Sequence, residues 1–422
     1  MKKLLTIFAM LILALSLFAN GKAESATPEG PVTIKVANYA LLESGYEPFW
    51  KGVKAGFEAA HPEYKIEWVT APYGEIMNTV INMAGGGDKV DVIFGEASWV
   101  PGFEDTGLAA PITDILSKEF INDFYPGVLD TLSIDGVPYG VPLYVTPYVL
   151  YYNTELFKMA GLDPNKPPKT YDEMLQYAEK LSKLTDANGN KVYAFGQTTA
   201  SVPISGSSLT SMVFNFGGHV LDSKGNLDVD NQGFKEAFAM LALLDERGYN
   251  PQNSKLKDLR NLFALGQLAM YYDQSWGFNG VQSINPNAKS FTKAAAPLKG
   301  GNGTGQSSLE SHVFILVDNG NARKAGTRAF VEYVISKDVL KEYMTNVTPA
   351  FPAKAEMEGM VSDILAGAAL AVSNVKAQVF IPQLSDLNLE LCTLAQGVTV
   401  SKKNVDSAIA EFKKNAGLKL QK

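Results

Sequence analysis

"YGEIMNTVINMAGGGDKVDVIFGE", residues 73–96, sets the reading of the whole chain. Residues 73–84 read as a helix, and Gly85, Gly86 and Gly87 stop it, as glycine does at a left-handed cap. "KVDVIFGE" (89–96) then reads as a buried strand. Upstream, "VTIKVANYA" (32–40) alternates as a strand does and ends at polar Asn38 and Tyr39. A helix follows from about 46 to 60, stopped by His61 and Pro62, and "YKIEWVTA" (64–71) is the next strand. The βαβαβ order predicts a parallel sheet with helices on both faces.

The series breaks at "IDGVPYGVPLYVTPYVLYYNTELFKMAGLD" (134–163). Asp135 and Gly136 make a turn. Pro138, Pro142 and Pro147 argue against a regular helix or a central strand, because proline offers no ladder donor. An extended, proline-spaced segment suits a chain crossing between domains. Helix resumes over 167–186, with Thr170 as N-cap and Glu173 three residues later completing a capping box.

The chain begins with Lys2 and Lys3, followed by a run from Leu4 to Ala19 that is apolar apart from Thr6 and Ser16. That run falls short of the roughly 20 residues a membrane span needs. A charged start, an apolar middle and small residues after it predict a signal peptide over 1–23, with a linker over 24–30. An uncleaved anchor is the alternative. No cysteine stands at the cleavage point, so lipid attachment is not expected. The single cysteine, Cys392, excludes an intrachain disulfide and reads as a buried small hydrophobe.

About 400 residues remain after the leader, which favours two domains. Hydrophobic content of 46% and charged content of 19% describe a folded globular chain. The net charge of −7 argues against nucleic acid or anionic membranes as partners. His61, His219 and His312 show no metal-ligand spacing, and "GGNGTG" (300–305) lacks the dinucleotide and P-loop patterns. No metal and no cofactor are expected.

An ordered set of segments carries a family resemblance: "FEAAHPEYKIEWV" (57–69), "KVDVIFGEASWVPGFEDTGLAAPITDIL" (89–116), "YGVPLYVTPYVLYYNTELFKMAGLD" (139–163) and "PPKTYDEM" (167–174). "FALGQLAMYYDQSWGF" (263–278), "AAAPLKG" (294–300) and "RAFVEYVISKDVLKEYM" (328–344) continue it. The chain resembles an extracellular solute-binding protein of a bacterial ABC importer, in the carbohydrate-binding group that includes maltose-binding protein. The resemblance implies an α/β fold of two lobes, each a mainly parallel sheet flanked by helices, joined by a hinge. Mapped onto this chain, the first lobe takes 31–142 plus 293–335 and the second 143–292 plus 336–422. It further implies a monomeric periplasmic carrier that takes a small solute in the interlobe cleft and passes it to ABC permease subunits. The missing lipoprotein cysteine implies a freely diffusing rather than a tethered carrier.

In open parallel sheets ligands collect beyond the carboxyl ends of the strands, and candidate site residues follow from that rule. Trp276 ends "LAMYYDQS", where an indole suits the weakly polar face of a sugar ring and Asp273 or Gln274 suits its hydroxyl rim. A core Trp packing the second lobe is the other reading. Tyr39 and Glu43 follow the first strand, and Glu96 follows the third with Trp99 three residues on. A carboxylate at Glu96 can accept two hydroxyl hydrogens, or else cap the helix starting near Ser98. Tyr73 opens a helix near the cleft, and among Tyr144, Tyr148, Tyr151 and Tyr152 alternation lets only some face it. Asn215 and Ser311 complete the set, while Glu310 and His312 stand where relatives carry small or aromatic residues.

Two other functions share these residue types. A secreted glycosidase needs two carboxylates about 5–9.5 Å apart across the bond, for which Glu96 and Asp273 are the candidates. A periplasmic sensor subunit would share the cleft and dock on a receptor instead of a permease.

Overall fold

The computed structural model describes residues 30–420 apart from Ser44, Ala187 and Pro382. The signal-peptide reading, and the linker reading up to residue 29, lie outside the described residues. Among the described residues no helix is long and apolar enough to cross a membrane.

The opening series forms as the pattern requires. Strand β1 (Val32–Asn38) pairs in parallel with β2 (Tyr64–Val69) on one side and β3 (Val92–Glu96) on the other. The helix Glu47–Ala60 between β1 and β2 buries Phe49, Trp50, Val53 and Phe57, one face at helical spacing. The helix Ile76–Gly85 returns the chain to β3, and Gly87, at φ 86°, takes the left-handed turn that ends it.

Later strands extend the sheet in the opposite sense. Ser133–Ile134 (β4) and Val137–Pro138 (β5) form a hairpin whose turn residues Asp135 and Gly136 have φ of 51° and 79°, as a two-residue turn demands. Strand β6 (Gly140–Asn153) is buried along its whole length. With β7 (Met270–Gln274), β8 (Thr292–Ala295), β9 (Ser307–Leu316), β10 (Phe351–Pro352) and β11 (Val375–Lys376) it completes the set. The order is β10-β6-β9-β3-β1-β2, with β9 antiparallel to both β3 and β6. The sheet is therefore mixed, its parallel part being β2-β1-β3.

β6 corrects the proline argument. It is a central strand despite Pro142 and Pro147, because each proline sits where the ladder is broken. The register against β9 shifts between Pro142 and Tyr144. Pro147 is the last rung with β9, and the next residue, Tyr148, already pairs with Gln274 of β7. Neither missing N–H removes a regular rung. One strand thus runs through both lobes, pairing β9 over its first half and β7 and β8 over its second.

Two hydrophobic cores follow. The first gathers Trp50, Phe94, Val141, Phe314 and Phe330; the second gathers Leu150, Phe195, Phe234, Leu391 and Phe412. The stretch 336–422 divides between them. Leu340, Tyr343, Phe351, Leu365 and Val372 pack in the first core, and the second takes the chain from Leu387 onward. At the N-terminus of the helix Tyr171–Leu181, Thr170 accepts from the Glu173 N–H at 3.1 Å. The Glu173 carboxylate reaches back one residue further than a capping box requires, to the Lys169 N–H at 2.7 Å.

Candidate functional site

Where β6 passes from one core to the other, a cleft of about 690 Å³ opens. Its first-lobe wall is built from chain ends of the parallel strands. Asn38, the last residue of β1, accepts from the Ala40 N–H at 2.9 Å and so turns the chain into the short 3-10 segment that carries Tyr39. The Tyr39 ring meets Tyr73 edge-on at 5.1 Å, and Trp99 lies behind both at 5.7 and 5.6 Å. Gly95 permits this: a Cβ there would sit 2.4 Å from the Trp99 ring. Glu96, ending β3, accepts from the Tyr73 hydroxyl at 3.0 Å and from Ser98 at 3.5 Å, both through Oε2. Burial pushes the Glu96 carboxyl up from its ordinary range, the two hydrogen bonds pull it down, and the charge of Glu43 adds to the rise. Burial raises Glu43 as well.

The floor carries His312, which stands opposite both Glu96 and Tyr144 in the sheet. Its Nε2 lies 3.1 Å from the Tyr39 hydroxyl, its Nδ1 is bonded to the Tyr144 hydroxyl, and Tyr144 in turn meets the Tyr343 hydroxyl at 3.1 Å. Desolvation pulls the imidazole down to about 4, so at neutral pH it is uncharged, with one donor and one acceptor nitrogen shared between two tyrosines.

The second-lobe wall begins at the end of β7. Gln274 and Trp276 line the cleft. Behind the indole stands Arg260, its guanidinium 4.8 Å from the ring centroid. Arg260 is held by Asp273 through two bonds, Nε to Oδ2 at 2.7 Å and Nη2 to Oδ1 at 2.8 Å. The Asp273 side chain is fully enclosed and that of Arg260 is 15% exposed. A Cβ at Gly277 would lie 2.1 Å from the Asp273 carboxylate, so only glycine lets the chain turn over this pair. The rest of the wall comes from far along the sequence: Pro203, Ile204 and Ser207 of the helix Pro203–Asn215, then Gln378, Phe380, Leu384, Ser385 and Asn388. These two segments meet through Gly206, where a Cβ would fall 2.4 Å from the Asn388 backbone.

Of the residues expected from the sequence, Tyr39, Glu43, Tyr73, Glu96, Tyr144, Trp276 and Ser311 line this cleft. Trp99, Tyr148, Tyr151, Asn215 and Asp273 do not. Trp99 supports the rings of Tyr39 and Tyr73, and Tyr148 is buried in the second core. Tyr151 donates to the Ser275 carbonyl at 2.6 Å, fixing the backbone beside Trp276. Asn215 accepts from Tyr171 at 3.0 Å and donates to the Gln306 carbonyl at 2.7 Å. Asp273 and Gln274 point to opposite faces of β7, as successive strand residues must, and it is Gln274 that faces the cleft. Because Asp273 is committed to Arg260, the carboxylate pair Glu96 and Asp273 is not assembled across the cleft.

Enclosed polar atoms on the walls, among them Gln274 Oε1, Ser311 Oγ and Asn388 Oδ1, make no hydrogen bond among the described residues. Buried polar atoms are normally paired, so these atoms have hydrogen-bonding capacity to spare. Among the described residues no lysine or arginine lines the cleft. The arginines are engaged elsewhere: Arg247 near Glu179, Arg260 with Asp273, Arg323 with Asp91 and Arg328 with Glu332. A second cavity of about 500 Å³, around Phe214, His219 and Lys376, shares Gln378, Leu384 and Asn388 with the cleft.

The sequence matches the family described as bacterial extracellular solute-binding protein over residues 39–341. An inferred binding protein of Brucella abortus (strain 2308) is 24% identical over 360 residues, 84% of each chain. The sn-glycerol-3-phosphate-binding periplasmic protein UgpB of the same strain is 28% identical over 183 residues, 42% of this chain and 41% of its own. Among solved structures, the cyclic alpha-maltosyl-1,6-maltose binding protein of Arthrobacter globiformis superposes with a TM-score of 0.79 at 18% identity, covering 93% of this chain and 99% of its own. The sugar-binding protein MalE of Xanthomonas citri gives a TM-score of 0.79 at 20% identity, covering 92% and 98%. These structural likenesses are likenesses of fold. With the family match spanning well over half its length, the chain belongs to the bacterial extracellular solute-binding proteins.

Proposed function

We propose that the protein binds a sugar or oligosaccharide in the interlobe cleft and delivers it to the transmembrane subunits of an ABC importer. In this reading it acts as a monomeric carrier, exported to the periplasm by its signal peptide. The observation that carries it is the makeup of the two walls. A tryptophan lining the cleft stands across from two carboxylates and four tyrosines, with unpaired amide and hydroxyl oxygens between. An indole covers the apolar face of a pyranose, and the oxygens receive its hydroxyls.

The names of relatives point two ways, toward maltose-like sugars and toward glycerol-3-phosphate. A phosphate calls for arginine forks or lysine. The cleft has neither, and its charged lining residues are Glu43 and Glu96. That supports a sugar without phosphate over a phosphodiester or phosphomonoester. A thermal-shift screen of the mature protein against sugars and glycerol-3-phosphate tests the reading. Ligand at about 100 times its Kd adds about 2.7 kcal/mol to the native state, so a sugar that binds raises the melting temperature. A shift by glycerol-3-phosphate and by no sugar overturns the proposal.

A further inference from the structure

The cleft is short of positive charge. Glu43 and Glu96 both line its first-lobe side, where the charge of Glu43 adds to the rise of the Glu96 carboxyl. No lysine or arginine answers them there. The enclosed atoms without partners include two amide oxygens, Gln274 Oε1 and Asn388 Oδ1, which also ask for hydrogens. A neutral sugar hydroxyl both donates and accepts, whereas an ammonium donates three times and accepts nothing. The aromatic rings add to this. Tyr39 and Tyr73 meet edge to face beside Glu96, and ring faces attract cations. Trp276 is different, because Arg260 already places a guanidinium over its ring. A second cation at that indole would be repelled, which divides the cleft into a sugar-stacking wall and a cation-receiving wall.

We propose that the bound sugar carries a free amine, its ammonium held on the first-lobe side by Glu96 and the rings of Tyr39 and Tyr73. This deepens the sugar reading of the same cleft and rests on it. Both protein hydrogen bonds to Glu96 fall on Oε2, which leaves Oε1 to the ligand. Charge-assisted hydrogen bonds are shorter and roughly twice as strong as neutral ones, so the amine is the group that sets preference.

The test is calorimetric titration of the mature protein with matched pairs that differ only in amines for hydroxyls, one per sugar ring. The pairs are glucosamine against glucose, galactosamine against galactose, mannosamine against mannose, and the fully deacetylated chitosan disaccharide against cellobiose. At pH 7 at least one amino member binds about tenfold or more tighter than its neutral partner. Glu96→Gln brings the ratio within a pair toward one. Should that variant not fold, Glu43→Gln, at an exposed residue, reduces the same ratio. Neutral members that bind as tightly as or tighter than their amino partners overturn the amine and leave the sugar reading standing. Binding by neither set, together with no shift in the wider sugar screen, removes both.

Discussion

Replacing Trp276 with alanine separates a ligand platform from a structural tryptophan. The indole is half-buried at the start of the helix Gly277–Ile284, with Arg260 on its ring and the cleft beside it. Truncation removes the apolar surface on which a sugar ring stacks. Burial of a large apolar side chain is worth about 1.5–3 kcal/mol, so affinity falls between roughly tenfold and somewhat over a hundredfold. Stability changes less. The ring loses its contact with Arg260, about 0.5–2 kcal/mol, while the Arg260–Asp273 pair beneath stays intact. A core tryptophan would instead cost about 3–5 kcal/mol through the cavity it leaves. Titration calorimetry with the best sugar from the screen and urea unfolding of one preparation read both quantities. A variant that loses 3–5 kcal/mol of stability and still binds normally refutes the platform.

Asp273→Asn strands the Arg260 guanidinium in an enclosed site, so urea unfolding should show a loss of about 3–5 kcal/mol, against under 1 for an exposed pair such as Lys158–Glu155. His312 makes stability depend on pH. The unfolded chain takes up the proton near pH 6.5 and the folded one only near 4, so its contribution is complete above 6.5 and is lost as pH falls toward 4. Because the ring keeps some exposure to the cleft, that loss is about 2 kcal/mol between pH 7 and 4.5. The raised carboxyls of Glu43 and Glu96 act in the opposite sense and are common to both proteins when wild type is compared with His312→Gln. A His312→Gln variant with an unchanged pH slope would contradict the neutral imidazole. Small-angle scattering should show a smaller radius of gyration on adding saturating sugar, and an unchanged value argues against hinge closure.

Periodicity made the first three strands and their helices legible, because each buries a face whose spacing the residues print directly: Phe49, Val53 and Phe57 on one helix, Val92 to Phe94 on a strand. The proline-rich crossing was legible as extended chain but not as a central strand. Whether a proline breaks a ladder depends on the partner's register, which is set by β7 and β9 from more than 100 residues away. Trp276 stood out by type, whereas the assignment of Asp273 to the ligand failed on its partner. Arg260 reads as an ordinary helix-face residue until the fold brings it beneath the indole. Strand alternation at β7 was the available sign that Gln274 and Asp273 serve different faces. The wall from 378 to 388 carries no such sign. Its residues are ordinary by type and meet the helix Pro203–Asn215 only in three dimensions, though the run of buried Ser205, Ser207, Ser208, Thr210 and Ser211 in that helix is an unusual density of hydroxyls.

A crystal structure with the sugar that gives the largest thermal shift tests the account most directly. The account predicts density for a sugar ring within stacking distance of Trp276, with Glu96 and Gln274 hydrogen-bonded to it and the guanidinium of Arg260 still held by Asp273. Density confined to the neighbouring cavity around Phe214 and Lys376, with the face of Trp276 bare, would contradict it.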